Sequence, residues 1–236
     1  MNSSEIINLD SIIKLHAKEN PSKTALIFVD IDKNIEETVT YSQLDILISK
    51  TCNYLSHNNY KKNDKLLINI PNSFPFVILL LACFRMGIVA VTTNPNLTTR
   101  ELKYQFKQSG SKNIISIKSD QSKNSLSSFA TLDNNTLMDF TNLINKFNSQ
   151  FTSDNVDLTD EATILFTSGT TNFPKGVIST HSNYINKIKS VSNVLRLNSN
   201  DRHYLTLPLF HTNGQYSLLA ILFKGGSAVI CSRFSA

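Results

Sequence analysis

Short, nearly continuous apolar runs alternate along the chain with longer stretches in which apolar positions recur every three or four residues. These are the two patterns expected of buried strands and amphipathic helices. Thr24–Asp30 reads as a strand, and Tyr41–His57 as a helix with Leu44, Leu47, Ile48, Thr51 and Leu55 on one face. Thr40 and Gln43 form a capping box at its start. A strand at 65–70, an apolar helix over about 75–86 closed by Gly87, and a strand at 88–93 follow. A second capping box, Thr98 with Glu101, opens a helix that buries Leu102 and Phe106 and ends at Ser109-Gly110, before a strand at 113–118. Strands and helices in strict alternation predict an α/β fold.

From 119 to 150 the chain turns rich in Ser, Asn, Lys and Asp, with one short helix expected around 136–147. The expected organisation is an N-terminal α/β part (1–118), a polar and partly mobile surface excursion (119–160), and a second α/β part (161–236). The last part reads as a strand at 163–167, a polar loop, a strand at 176–179, and a helix from Ser182 with apolar positions Tyr184, Ile188, Val191 and Leu195. A strand at 203–207, a helix at 215–223 and a strand at Ser227–Cys231 complete it. Of 7 glycines, Gly169, Gly176, Gly214, Gly225 and Gly226 all fall here, which marks this as the part where backbone geometry is special.

With 236 residues, 41% hydrophobic and 17% charged, the chain can bury a substantial core. The net charge of +5 is scattered, so no nucleic-acid surface is expected. The nearly continuous apolar run from Phe74 to Val91 approaches the ~18–20 residues of a membrane span. Arg85, Pro75 and Gly87 divide it, and a buried helix followed by a strand is the better reading, with no membrane span. Cys52, Cys83 and Cys231 match no zinc spacing, and the first residues lack the basic start and apolar run of a signal peptide. An intracellular protein is expected, cytoplasmic or organellar, and not a secreted one.

Chemistry concentrates in Thr167-Ser168-Gly169-Thr170-Thr171-Asn172-Phe173-Pro174-Lys175-Gly176, a hydroxyl-rich glycine loop between two strands. Phosphate oxygens need converging donors, and the loop offers backbone N–H groups, four hydroxyls and an ammonium. It is not a Walker loop, because Lys175 precedes Gly176 and a strand, not a helix, follows. A chance Ser/Thr/Gly hairpin with an incidental lysine is the competing reading, and the full order of residues argues against it.

That order closely resembles the signature loop of the adenylate-forming (AMP-binding) enzymes, the family of acyl-CoA synthetases, luciferases and peptide-synthetase adenylation domains. The resemblance implies that Thr167, Ser168, Gly169, Thr170, Thr171 and Lys175 hold the phosphates of ATP, with Thr171 also near Mg2+. It implies too that a small carboxylic acid attacks the α-phosphorus to give an acyl-adenylate. Family members usually carry glycine where Asn172 stands; asparagine tolerates positive φ, so the loop is expected to keep ATP binding but close more slowly. A second segment, Pro208-Leu209-Phe210-His211, resembles the motif that follows the loop in acid–CoA ligases. By that resemblance His211 borders the route of the coenzyme A thiol to the acyl group, against the reading of a lone structural histidine. Tyr41 with Leu44, Asn72-Ser73, Asn94-Pro95 and Arg233-Phe234-Ser235-Ala236 follow the family's order and are read as scaffold.

The implied fold is the N-terminal portion of the family's large domain, mixed sheets flanked by helices, incomplete and without the C-terminal subdomain. The expected parent is therefore an acid–CoA ligase, with this chain able to associate with a missing C-terminal part. A non-catalytic nucleotide-binding remnant and an adenylation domain loading a carrier protein remain the alternatives.

Overall fold

The computed structural model describes residues 8–30, 34–117, 128–132, 136–152, 155–167 and 173–231. The elements run in order α1 (Leu9–Glu19), β1 (Thr24–Asp30), β2 (Ile35–Thr40), α2 (Tyr41–His57), β3 (Lys65–Asn69), α3 (Phe74–Met86), β4 (Val89–Thr92), α4 (Thr99–Ser109), β5 (Asn113–Ile117) and β6 (Ser128–Leu132). They continue with α5 (Leu137–Ile144), β7 (Glu161–Thr167), β8 (Lys175–Thr180), α6 (His181–Val194), β9 (Arg202–Leu205), α7 (Thr212–Phe223) and β10 (Ser227–Cys231). The α/β fold with mixed sheets flanked by helices is thus as expected.

Two sheets form. One has the order β6-β5-β3-β4-β7-β8 and the other β2-β1-β10-β9. In the larger sheet β6, β5, β3, β4 and β7 run parallel, and β8 turns back antiparallel on β7. Alternation along β3 explains how this sheet is buried on both faces. Leu66 and Ile68 point into the main core, while Leu67 joins Val89, Val91, Leu102, Ile114 and Ile164 on the opposite face, beneath α4. The main core is continuous between the sheets: Leu26, Ala228 and Ile230 of the smaller one share it with Leu66, Ala90 and Ala162 of the larger.

Helix α3 is buried along its whole length, which accounts for a sequence that is apolar but for Arg85. Ser73 caps its start through the Phe76 N–H, and Gly87, at φ 63°, stops it in the left-handed conformation. Both expected capping boxes are formed, Thr40 with Gln43 on α2 and Thr98 with Glu101 on α4.

The structure also departs from the sequence expectations. Helix α1 and strand β2 were not anticipated. Helix α1 begins with Asn8 and Ser11 in a capping box and buries Leu9, Ile12 and Ile13, and β2 pairs with β1 as an exposed edge of alternating burial. The strand expected at 203–207 ends at Leu205, leaving Leu207 exposed ahead of Pro208. Leu195 does not belong to the apolar face of α6: it is the C-cap residue and is half exposed, because Arg196 takes φ 53° and turns the chain. Within the polar stretch 119–150, the expected short helix forms as α5 and seats Phe140 and Ile144 in the main core, while β6, which was not anticipated, extends the larger sheet beside β5.

Candidate functional site

Thr167 ends β7 and Lys175 begins β8, and the two are cross-strand partners. The Thr167 hydroxyl donates to the Lys175 carbonyl at 3.5 Å, and both side chains are exposed. The hairpin therefore presents a hydroxyl and an ammonium at the two roots of the loop. Ser168, Gly169, Thr170, Thr171 and Asn172, the loop itself, lie outside the described residues, as does the Arg233-Phe234-Ser235-Ala236 segment.

Just beyond the loop, Phe173 stacks on Tyr104 of α4 with ring centroids 5.3 Å apart and planes at 29°. The Tyr104 hydroxyl donates to the Pro174 carbonyl at 3.2 Å. One side chain thus holds the returning strand twice, by its ring and by its hydroxyl. Beneath, a cleft of about 300 Å³ is lined by Tyr104, Gln108, Phe166, Pro174, Lys175 and Gly176.

His211 is the N-cap residue of α7, with φ −100° and ψ 149°. Its ring is exposed, packs 4.4 Å from the Phe210 ring, and makes no capping bond. What fixes it is the backbone of the turn before it. The Leu209 N–H donates to Asn72 Oδ1 at 2.8 Å, the Leu209 carbonyl accepts from Gln215 Nε2 at 2.9 Å, and the Phe210 carbonyl accepts from Thr92 Oγ1 at 3.2 Å. The His211 N–H closes the turn on the Pro208 carbonyl at 3.1 Å. Gly214 makes this possible: a Cβ there would meet the Pro208 carbonyl oxygen at 2.3 Å, so no other residue lets α7 approach the turn.

Thr92 is the last residue of β4 and pairs with Leu165 of β7. The His211 turn and the Thr167–Lys175 hairpin root are consequently anchored on adjacent parallel strands at their carboxyl ends. That edge is where open α/β sheets bind ligands. Asn72, Thr92, Tyr104 and Gln215 do the holding, and sequence reasoning gave none of them a role in the site. The available signal was a polar residue, Gln215, one turn ahead of the apolar run 218–223 of α7. Among the described residues no group of three or more His, Cys, Asp or Glu could hold a metal ion. No helix among them is long and apolar enough to cross a membrane.

The chain is 31% identical over 220 residues to 2-succinylbenzoate–CoA ligase of Bacillus subtilis (strain 168), covering 93% of this chain and 43% of that protein. It is 31% identical over 207 residues to 4-coumarate–CoA ligase 3 of Arabidopsis thaliana, covering 82% of this chain and 37% of that one. It thus spans less than half the length of either relative. The solved O-succinylbenzoate coenzyme A synthetase of Bacillus subtilis, in complex with AMP, superposes with a TM-score of 0.80 at 28% identity, over 95% of this chain and 56% of that chain. The model of the family described as AMP-binding enzyme matches residues 13–236, and the chain belongs to that family.

Proposed function

We propose that the protein is an AMP-forming acid–CoA ligase. A carboxylate oxygen of the acid attacks the α-phosphorus of ATP and pyrophosphate leaves; the thiol sulfur of coenzyme A then attacks the acyl carbon and AMP leaves. The observation that carries this reading is the pairing of Thr167 with Lys175 at the roots of a phosphate-type loop, beside the His211 turn at the same sheet edge. Lys175 supplies charge to the polyphosphate together with Thr167, Ser168, Gly169, Thr170 and Thr171, where preorganised donors stabilise the leaving pyrophosphate. His211 borders the path of the thiol. Mg2+ would enter on the ATP phosphates, where it would neutralise phosphate charge, with the Thr171 hydroxyl as the side chain to approach it. Aromatic acids of the kind named for the relatives are the first substrates to try, with fatty acids next. The three buried free thiols, Cys52, Cys83 and Cys231, support an intracellular site of action.

The test is ATP–pyrophosphate exchange dependent on an added carboxylic acid, followed by thioester formation with free coenzyme A. Lys175→Ala is expected to lower the exchange rate by roughly 10²–10³-fold, the size of one lost charge-stabilising donor. Absence of exchange with every acid tried would overturn the proposal, and transfer to a carrier protein but not to coenzyme A would replace its second step.

A further inference from the structure

A chain of buried hydrogen bonds crosses the molecule from the phosphate-loop strand to the His211 turn. It starts at Thr163 on β7, whose Oγ1 lies 3.0 Å from the Tyr184 hydroxyl of α6. Tyr184 bonds to Gln215 Oε1, and Gln215 Nε2 reaches Thr92 Oγ1 at 3.0 Å and the Leu209 carbonyl at 2.9 Å. Thr92 then meets the Phe210 carbonyl at 3.2 Å. Thr163, Tyr184 and Gln215 are fully buried and Thr92 is 2% exposed.

The direction of every hydrogen in this chain is determined. The Leu209 carbonyl can only accept, so the amide nitrogen of Gln215 must face it and Oε1 must face Tyr184. Tyr184 has one hydroxyl hydrogen and gives it to Oε1, so it accepts from Thr163. Thr92 accepts from Gln215 and gives its own hydrogen to the Phe210 carbonyl, which only accepts. No donor or acceptor is left to choose a second arrangement, and a fully satisfied buried network is rigid. Burial also pushes the Tyr184 phenol well above its usual range, so it remains the donor throughout the working pH range.

We infer that Gln215 is a positioning residue that sets the His211 turn relative to the phosphate-loop strand, and so couples the thioester step to the loop. This rests on the acid–CoA ligase reading for its catalytic consequence but not for its geometry. Gln215 is the only link of the chain that touches both α6, through Tyr184, and the turn, through Leu209 and Thr92. His211 has no capping bond of its own, so its place follows the backbone that Gln215 and Thr92 clamp.

The experiment separates the two half-reactions in the full chain. Gln215→Met keeps the length of the side chain and removes its bonds; it is expected to lower the rate of acyl transfer to coenzyme A roughly tenfold more than it lowers carboxylate-dependent ATP–pyrophosphate exchange, in line with the cost of small misplacements. Thr92→Val, which frees the Phe210 carbonyl and one Gln215 amide N–H but leaves the bonds of Gln215 to Tyr184 and Leu209, is expected to repeat the split more weakly and serves if Gln215→Met does not fold. Adding Tyr184→Phe and Thr163→Val to Gln215→Met removes the two buried hydroxyls that the first change leaves without their partners; melting temperature should recover while the acyl-transfer defect persists. Equal loss of both half-reactions, or an acyl-transfer rate restored along with the melting temperature, overturns the inference. An activity-free arm uses the Cε1–H NMR resonance of His211, which should shift in both Gln215→Met and Thr92→Val, and an unmoved resonance overturns the inference as well. If wild-type protein shows no exchange with any acid, the ligase reading falls, and the NMR arm alone decides the positioning.

Discussion

His181 is costly to protonate in the folded chain. It opens α6 fully buried, its ring edge-on to Phe84 at 5.6 Å, and neither ring nitrogen has a partner among the described residues. Desolvation is the main cause of its pKa falling to about 4, opposed by the nearby Asp160 and Asp10 carboxylates and assisted by Lys62. The sign follows directly. Between pH 6.5 and about 4 the unfolded chain binds a proton that the folded chain refuses, so stability that is complete above 6.5 is lost as pH falls, up to about 3 kcal/mol. Asp160, whose pKa is lowered by the Lys62 ammonium 2.7 Å away and its hydrogen bonds despite some burial, adds loss in the same direction at still lower pH. His181→Leu is expected to match or exceed wild-type stability at pH 7 and to exceed it by about 2 kcal/mol near pH 4.5 in urea titrations. Parallel acid slopes in the two proteins would exclude this account. Nothing in the sequence gave His181 away, because a histidine at the start of a helix reads the same whether its ring faces solvent or an apolar wall.

At the scale of elements, the legible parts were those with strong local chemistry. Capping boxes fixed the starts of α2 and α4, Gly87 fixed the end of α3, and the hairpin of β7 with β8 followed from strand patterns around the glycine loop. Helix α1 escaped because its capping box uses Ser11 in place of the usual Glu or Gln, and β2 because Glu36, Glu37 and Thr38 resemble a polar loop. The partners of the site escaped for a different reason: Tyr104 lies some 70 residues from Pro174, and its role exists only once α4 lies across β8. That contact makes a prediction about the hairpin. An aromatic stack is worth ~0.5–1.5 kcal/mol and a neutral hydrogen bond ~1 kcal/mol. Tyr104→Phe keeps the stack and should speed amide exchange at Lys175 and Gly176 by about fivefold, while Tyr104→Ala, which loses both, should speed it about thirtyfold at ~1.4 kcal/mol per tenfold. Exchange rates unchanged in Tyr104→Ala would mean that the hairpin root is held by the β7 ladder alone.

The whole molecule is tied together by contacts far apart in sequence. Strand β10 is inserted between β1 and β9, with Leu26 beside Ala228, so the smaller sheet cannot assemble until nearly the entire described chain is present. Helices α1, α2 and α3 are joined by one buried cation. Arg85, 1% exposed, donates through Nε to Asp10 on α1, through Nη2 to Asp45 on α2, and through Nη1 to the Ser49 hydroxyl at 2.7 Å. Asp10 also takes Lys14 at 2.7 Å. The residue that breaks the apolar run in the sequence is therefore the one that orients three helices around the core. Removing only the cation leaves Asp10, 5% exposed, buried without its main counter-charge. Arg85→Met should thus cost about 3–5 kcal/mol in denaturant or thermal unfolding. Asp10 and Asp45 must then lose their charge before the loss can be repaired: Arg85→Met with Asp10→Leu and Asp45→Leu should return to within about 2 kcal/mol of wild type, as apolar replacements of buried ionic clusters do. A triple variant no more stable than Arg85→Met would show that the cluster is needed for the packing of α1, α2 and α3 and not merely tolerated by it.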